Sequence, residues 1–284
     1  MRRRQVLKLG LQACAVASAR YAEAQTARAF RFGTTPVFLD DQAGFLGRWA
    51  QYLGEAMDTK VEFVQRRTYR DIMALLGTEA VDAAWICGFP WVVNKAQLHG
   101  ISVPRYRGAP LYQSYLIVPS GDTTSASPLD MRGKVFAYSD PDSNSGYLVP
   151  RTSLIQAGAD PNHFFSRTFF TWGHRNVVQA VATGLAQAGA VDGYVWDTLQ
   201  LVAPAMTAKT RVAWRSAWYG FPPIATRSSL DALTEQRFAS ALLGMDKTPV
   251  GQRLLNELNL GSFGAFQPEV FDGIVRLVAV NSRA

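Results

Sequence analysis

Short apolar runs alternate with longer segments of helical period along most of the 284-residue chain. The short runs predict strands at 29–33, 61–65, 81–86, 115–118, 134–138, 168–170 and 188–191. The longer segments predict helices at 42–57, 68–76, 90–100, 146–157, 176–183, 228–245 and 248–258. This alternation predicts an α/β fold in which helices cover both faces of mostly parallel sheets.

The predicted elements fall into two units. A small-polar loop at 119–127 precedes the second unit, and segment 219–224 has the pattern of an extended return crossover. We therefore expect lobe one to contain 25–116 with 225–284, and lobe two to contain 117–224. Such a layout places a ligand cleft at the hinge, where loops from both lobes meet.

Four junctions between a predicted strand and the helix after it carry polar or reactive side chains. They are 68–71, 87–90, 143–146 and 173–176. A helix start presents unpaired backbone N–H groups and the positive end of the helix dipole, both of which favour an oxyanion. The four junctions together indicate a binding site for one small, anionic or oxygen-rich ligand, and a binding protein rather than an enzyme.

The first 24 residues have the pattern of an export signal. A cationic start with a twin-arginine-like stretch at 3–8 precedes an apolar run at 9–19 and the small residues at 22–24. The apolar run is too short to span a membrane. An alternative takes 11–14 as a lipoprotein box with Cys14 as the lipidated residue, although Gln12 fits that pattern poorly. Both alternatives place the mature protein in the periplasm.

The charge of the chain changes when this signal is removed. The signal holds five basic residues and one acidic residue, so the mature chain keeps about +3 of the formal net charge of +7. A mild positive charge favours small anions slightly, and without a basic stripe carrying aromatic residues it excludes nucleic acid as the ligand.

The residue inventory also excludes several kinds of site. Only Cys87 remains after cleavage, so an internal disulfide is excluded. His99, His163 and His174 show no short spacing that would indicate zinc. The sequence has no glycine-rich phosphate loop and no G-x-S-x-G turn. We therefore expect neither a metal nor a cofactor.

Six segments carry a resemblance to a known family. They are Tyr69–Asp71, Val81–Trp85, Tyr112–Tyr115, Leu129–Lys134, Asp140–Tyr147 and Gly173–His174. In this order they resemble the phosphate/phosphite/phosphonate-binding proteins of ABC importers, within the type II periplasmic solute-binding fold. The resemblance implies two α/β lobes joined by two crossover strands. It also implies a monomer that captures a small oxyanion for an ABC permease.

The resemblance assigns ligand-binding roles to individual residues. Ser143 and Ser145 match hydroxyls that hold the oxygens of the ligand, and Asn144 replaces a third hydroxyl while keeping a donor. His174 and Tyr69 match residues that donate to the same oxyanion. The alternative is structural, because Ser and Asn also cap helices and a Tyr in a first turn often packs in the core.

The sequence departs from the family at positions that hold an aminoalkyl ammonium. Pro222 falls at the usual aspartate and Tyr194 near the usual glutamate. An ammonium group would therefore lack its partners, which disfavours 2-aminoethylphosphonate. Tyr112 lies just before the first crossover, so we expect it to reach the ligand at the hinge together with Tyr194.

Cys87 is a second departure. A thiol at a helix start has a lowered pKa, and a soft thiolate binds arsenic(III) well. The chain thus also resembles periplasmic arsenite-binding sensors, which engage the ligand through one cysteine and signal to a membrane histidine kinase. The alternative roles are a small buried hydrophobe or an enzyme nucleophile with His174 as its base, for which no oriented acid partner is evident.

Overall fold

The computed structural model describes residues 28–35 and 43–283. The predicted export signal and Cys14 lie outside these residues. Within the described part of the chain, no helix is both long and apolar enough to cross a membrane. Strands gather into a six-stranded sheet, a five-stranded sheet and a two-stranded ribbon.

Lobe one is built on the six-stranded sheet, in the order β13-β4-β12-β3-β1-β2. Its strands are β1 Phe30–Thr34, β2 Val61–Gln65, β3 Ala83–Trp85, β4 Leu98–Arg105, β12 Ile224–Arg227 and β13 Ser262–Ala265. Strands β1 to β4 run in one direction, whereas β12 and β13 run in the opposite direction. Strand β12 enters between β3 and β4 as the chain returns from the other lobe.

Lobe two is built on the five-stranded sheet, in the order β10-β6-β9-β7-β8. Its strands are β6 Ser114–Pro119, β7 Val135–Tyr138, β8 Arg167–Phe170, β9 Ala188–Asp192 and β10 Thr210–Arg215. Only β6 runs against the other four. Across the two large sheets, four neighbouring pairs of strands are parallel and five are antiparallel. Both sheets are therefore mixed and not mostly parallel as predicted, since β6 and β12, which follow the two crossovers, run against their neighbours.

Helices cover the sheets of both lobes. They are α1 Ala43–Met57, α2 Tyr69–Gly77, α3 Gly88–Asn94, α4 Val149–Gln156, α5 His174–Ala182, α6 Gly193–Val202, α7 Pro204–Thr207, α8 Ala232–Leu243, α9 Pro249–Glu257 and α10 Asp272–Asn281. Short 3-10 turns occur at Pro128–Met131, Met245–Lys247 and Pro268–Phe271, and one π turn occurs at Asn144–Leu148. Helices α8 and α9 pack on lobe one, whereas α10 contacts both α3 and α4.

The helix predicted at 90–100 is wrong in its second half. Helix α3 ends at Asn94, whose side-chain amide donates to the carbonyl of Pro90 at 2.8 Å. The chain then forms β4, which pairs with β12 and β13. Both partners lie far along the sequence, so the local pattern carried no sign of this strand.

The lobes are joined through the two-stranded ribbon of β5 Leu111–Tyr112 and β11 Tyr219–Gly220, which pair antiparallel. Gly220 lies against the 3-10 turn Pro268–Phe271 that precedes α10, where an added Cβ would sit 2.8 Å from the carbonyl oxygen of Val270. The ribbon therefore holds both crossovers at one place beside the cleft.

Candidate functional site

An enclosed cavity lies between the two lobes. It is lined by Thr35, Tyr69, Trp85, Cys87, His174, Asp192, Tyr194, Phe221 and Pro222. The first four belong to lobe one, the next three to lobe two and the last two to the return crossover. The cavity volume open to the centre of a water molecule is about 10 Å³, so the cavity has room for about one water molecule. A larger ligand requires the lobes to separate.

Tyr69 and His174 meet across this cavity. Tyr69 begins α2 in lobe one, His174 begins α5 in lobe two, and the tyrosine Oη lies 3.1 Å from the histidine Nε2. The backbone N–H of Asp192 donates to His174 Nδ1 at 3.1 Å, so the proton of a neutral ring is on Nε2. His174 therefore donates to Tyr69, and the tyrosine hydroxyl hydrogen is left for another acceptor.

His174 is held as a neutral ring. It is 2% exposed, and burial lowers its pKa from 6.5 to about 3. The site therefore receives a hydrogen-bond donor from His174, but no positive charge.

Cys87 immediately precedes α3 and lines the cavity. Its Sγ accepts a hydrogen bond from the backbone N–H of Asn144 at 3.2 Å. The expectation of a lowered thiol pKa is wrong, because burial raises the pKa of Cys87 from 9.0 to about 12. The thiol is protonated at neutral pH, and the short helix behind it does not offset the loss of solvation.

Residues 143–145 form the start of the π turn and do not line the cavity. Ser143 Oγ caps this turn by accepting from the N–H of Gly146 at 3.0 Å. The Asn144 amide donates to Tyr112 Oη at 2.9 Å, and the Ser145 carbonyl accepts from Ser114. Cys87 thus lies between this turn and the cavity, and its sulfur occupies a backbone N–H at the start of the turn.

Tyr112 and Tyr194 have different places in the site. Tyr112 is buried behind the π turn and is held by Asn144. Tyr194 lines the cavity, and its hydroxyl donates to the carbonyl of Leu258 in lobe one at 2.5 Å. Tyr194 therefore links the lobes beside the cavity.

Asp192, which no motif in the sequence marked as a site residue, lines the cavity at the end of β9. Its Oδ1 accepts from the N–H groups of Tyr194 and Val195 at 2.9 and 3.4 Å, so it caps helix α6. The only sequence signal was an aspartate between an apolar run and a helix. Burial raises the pKa of Asp192 from 3.8 to about 7. The cavity thus contains a carboxyl group together with Tyr194 and Pro222, where the sequence predicts no acidic partner for an ammonium group.

Further hydrogen bonds join the lobes near the cavity. The N–H of Tyr69 donates to Asp140 Oδ2 at 3.2 Å. Burial raises the pKa of this carboxyl, although the N–H groups of Asp142 and Tyr69 oppose the shift. Together with the Asn144–Cys87 contact, this bond holds the lobes closed over the cavity.

Two α/β lobes that bring polar groups to an enclosed cavity between them define a type II solute-binding protein. The chain belongs to the family described as "ABC transporter, phosphonate, periplasmic substrate-binding protein", whose profile matches residues 32–271. The family and the fold class predicted from the sequence are both confirmed.

Relatives of this chain include a phosphate-import protein, a phosphonates-binding protein and a third, the probable ABC transporter phosphite binding protein PhnD1 of Prochlorococcus marinus, which is 24% identical over 60% of each chain. The chain is 31% identical to the phosphate-import protein PhnD of Mycolicibacterium smegmatis, over 56% of this chain and 53% of that protein. It is 25% identical to the phosphonates-binding periplasmic protein of Escherichia coli, over 84% of this chain and 72% of the relative. The chain thus matches about half the length of the first relative and more of the second.

Solved structures share the fold at lower identity. A binding protein component of a phosphonate ABC transporter from Pseudomonas aeruginosa superposes with a TM-score of 0.81 at 21% identity, covering 90% of this chain and 87% of that chain. PhnD1 from Prochlorococcus marinus, solved in complex with methylphosphonate, superposes with a TM-score of 0.81 at 18% identity, covering 90% and 99%.

Proposed function

We propose that the protein is an exported solute-binding protein that captures a small phosphorus oxyanion of the phosphate, phosphite or phosphonate class for an ABC importer. The observation that carries the proposal is the cavity between the lobes, where His174 orients the Tyr69 hydroxyl as a free donor. The names of the relatives, which are phosphate, phosphonate and phosphite transport proteins, support the ligand class.

Capture proceeds by opening and closing of the lobes. Opening separates Cys87 from Asn144, which frees a backbone N–H at the start of the π turn for an oxygen of the ligand. Ser143 and Ser145 add hydroxyls at the same turn, and Tyr69 approaches from the opposite lobe. Closure around the bound ligand then presents a surface made by both lobes to the permease.

The remaining parts of the proposal concern the compartment and the assembly. Residues 1–24 direct export to the periplasm and are removed, and the mature protein acts as a monomer without enzymatic activity. Lipidation at Cys14 is the alternative, which mass spectrometry of the exported protein distinguishes from cleavage after Ala24.

Arsenite sensing is the second candidate function, and one observation supports it. Cys87 lines the cavity beside Tyr69 and Asp192, so its sulfur lies within reach of a small ligand. The raised pKa of the thiol and the transport functions of the relatives both favour the oxyanion importer over the sensor.

Calorimetric titration of the mature protein with phosphate, phosphite, methylphosphonate and arsenite tests the proposal. We expect one phosphorus oxyanion to bind with one ligand per chain, and Ser145→Ala to weaken it at least about tenfold through loss of a hydrogen bond to a charged group. Ser153→Ala is the matched control, since Ser153 lies further along the same helical segment and its hydroxyl donates to the Val149 carbonyl. Arsenite binding that is lost in Cys87→Ser, without phosphorus-oxyanion binding, would instead support the sensor.

A further inference from the structure

The cavity combines a buried carboxyl with an absence of cations. None of the described residues that line it is a lysine or an arginine, and His174 is neutral. Asp192 is 4% exposed and has one carboxylate oxygen, Oδ1, engaged in capping α6. The other oxygen, Oδ2, receives no hydrogen bond from any residue that the structure describes.

The groups around Asp192 are neutral or negative. The titratable side chains that interact with it across the site are Tyr69, Cys87, Tyr112, Tyr194 and Asp197. The pKa values of the three tyrosines and the cysteine are raised by burial, so these groups carry no charge near neutral pH. Asp197 points the other way, to the Tyr106 hydroxyl at 2.7 Å and to Arg107 at 3.2 Å.

A fully ionised phosphorus oxyanion beside an ionised Asp192 would place two like charges in this cavity. Its negative oxygens would meet the free oxygen of Asp192 in a buried space, with no cation to balance them. Two like charges in one buried site bind a proton that neither would hold alone. One hydrogen between the two oxygens converts the repulsion into a charge-assisted hydrogen bond.

Resting on the function proposed above, we propose that Asp192 shares a single proton with one oxygen of the ligand. The site therefore selects a phosphorus oxyanion with two acidic oxygens, bound in the form that keeps one acidic hydrogen. This hydrogen bond is the only bond that forms through the proton. When Asp192 and the ligand are both ionised before binding, the proton comes from solvent. Asp192 is thus a specificity-determining residue for the transported ligand.

The test is proton uptake on binding of methylphosphonate, measured by calorimetry of the mature protein in two buffers of different ionisation enthalpy. At about pH 8.5 both the ligand and Asp192 are mostly ionised, so we expect about one proton to be taken up per ligand bound. The wild-type affinity should fall about tenfold per pH unit between about pH 8 and pH 9.

Two variants isolate the carboxyl. Asp192→Asn keeps an oxygen to cap α6 and offers an amide donor to the ligand, so its binding should occur without proton uptake and with little dependence on pH in this range. Asp197→Asn, on the helix that Asp192 caps, is the matched control and should retain the wild-type uptake. Binding by the wild type without proton uptake, or equal uptake by Asp192→Asn, overturns the proposal. No binding of methylphosphonate, phosphite or phosphate at any pH overturns the proposed function, and this proposal with it.

Discussion

The two buried titratable neighbours in the site should have opposite effects on stability as the pH changes. Burial lowers the pKa of His174 from 6.5 to about 3 and raises the pKa of Asp192 from 3.8 to about 7. Between about pH 3 and pH 6.5, His174 is therefore protonated in the unfolded chain but not in the folded chain. The folded chain in turn keeps a proton at Asp192 that the unfolded chain releases.

The sign of each contribution follows from these shifts. The His174 contribution to stability is fully present above about pH 6.5 and is lost as the pH falls towards 3. The Asp192 contribution is present below about pH 3.8 and is lost as the pH rises through 7. Between about pH 4 and pH 6.5 the two slopes, each about 1.4 kcal/mol per pH unit, nearly cancel in the wild type.

Asp192→Asn removes one of the two slopes. Its free energy of unfolding, relative to the wild type, should rise by about 2 to 3 kcal/mol between about pH 4.25 and pH 6.25. Urea denaturation at several pH values measures this difference, and contributions from other groups cancel in the comparison. His174→Asn, which keeps an acceptor for the Asp192 N–H, should show the opposite trend. A difference that stays constant within about 0.5 kcal/mol over this range would show that the pKa of Asp192 is not raised in the folded protein.

Three further substitutions test separate contacts. Tyr69→Phe leaves the His174 Nε2–H without its partner in the closed state. It should weaken phosphorus-oxyanion binding at least about tenfold in calorimetry. Unchanged affinity would show that the Tyr69 hydroxyl does not bind the ligand. Gly146→Ala places a Cβ 1.8 Å from the Oγ of buried Ser139. It should lower the free energy of unfolding by about 1 to 3 kcal/mol, and adding Ser139→Ala should restore part of this loss. Equal stability of Gly146→Ala and the wild type would show that the π turn adjusts freely. Cys87→Ser keeps an acceptor for the Asn144 N–H, so it should change phosphorus-oxyanion affinity by less than about threefold. A larger loss of affinity would show that the thiol itself recognises the ligand.

Local sequence patterns located much of the site because its residues follow strand ends. Tyr69, Cys87 and His174 come from three of the four predicted junctions, and all three line one cavity. The fourth junction, at 143–146, reaches the cavity only through the contact of Asn144 with Cys87. Parallel strands that end at the same edge explain why such junctions converge.

Burial explains what the sequence could not predict. The pKa of Cys87 shifts in the opposite direction to that expected, because desolvation depends on the packing of both lobes and not on the helix start alone. Asp192 has the local pattern of a helix cap, and its place in the cavity follows from the way β9 lies in the sheet. Strand β4 was missed for a related reason, since both of its partners come from distant parts of the chain.

Binding of a phosphorus oxyanion between the two lobes, at Tyr69 and the π turn, is measured most directly by a ³¹P NMR titration of the mature protein with methylphosphonate. We expect a bound resonance that saturates at one ligand per chain. This resonance should be lost at the same concentrations in the double variant Tyr69→Phe/Ser145→Ala and retained in Ser153→Ala. If the wild type shows no bound resonance, or if the resonance persists unchanged in the double variant, the ligand does not bind at this place.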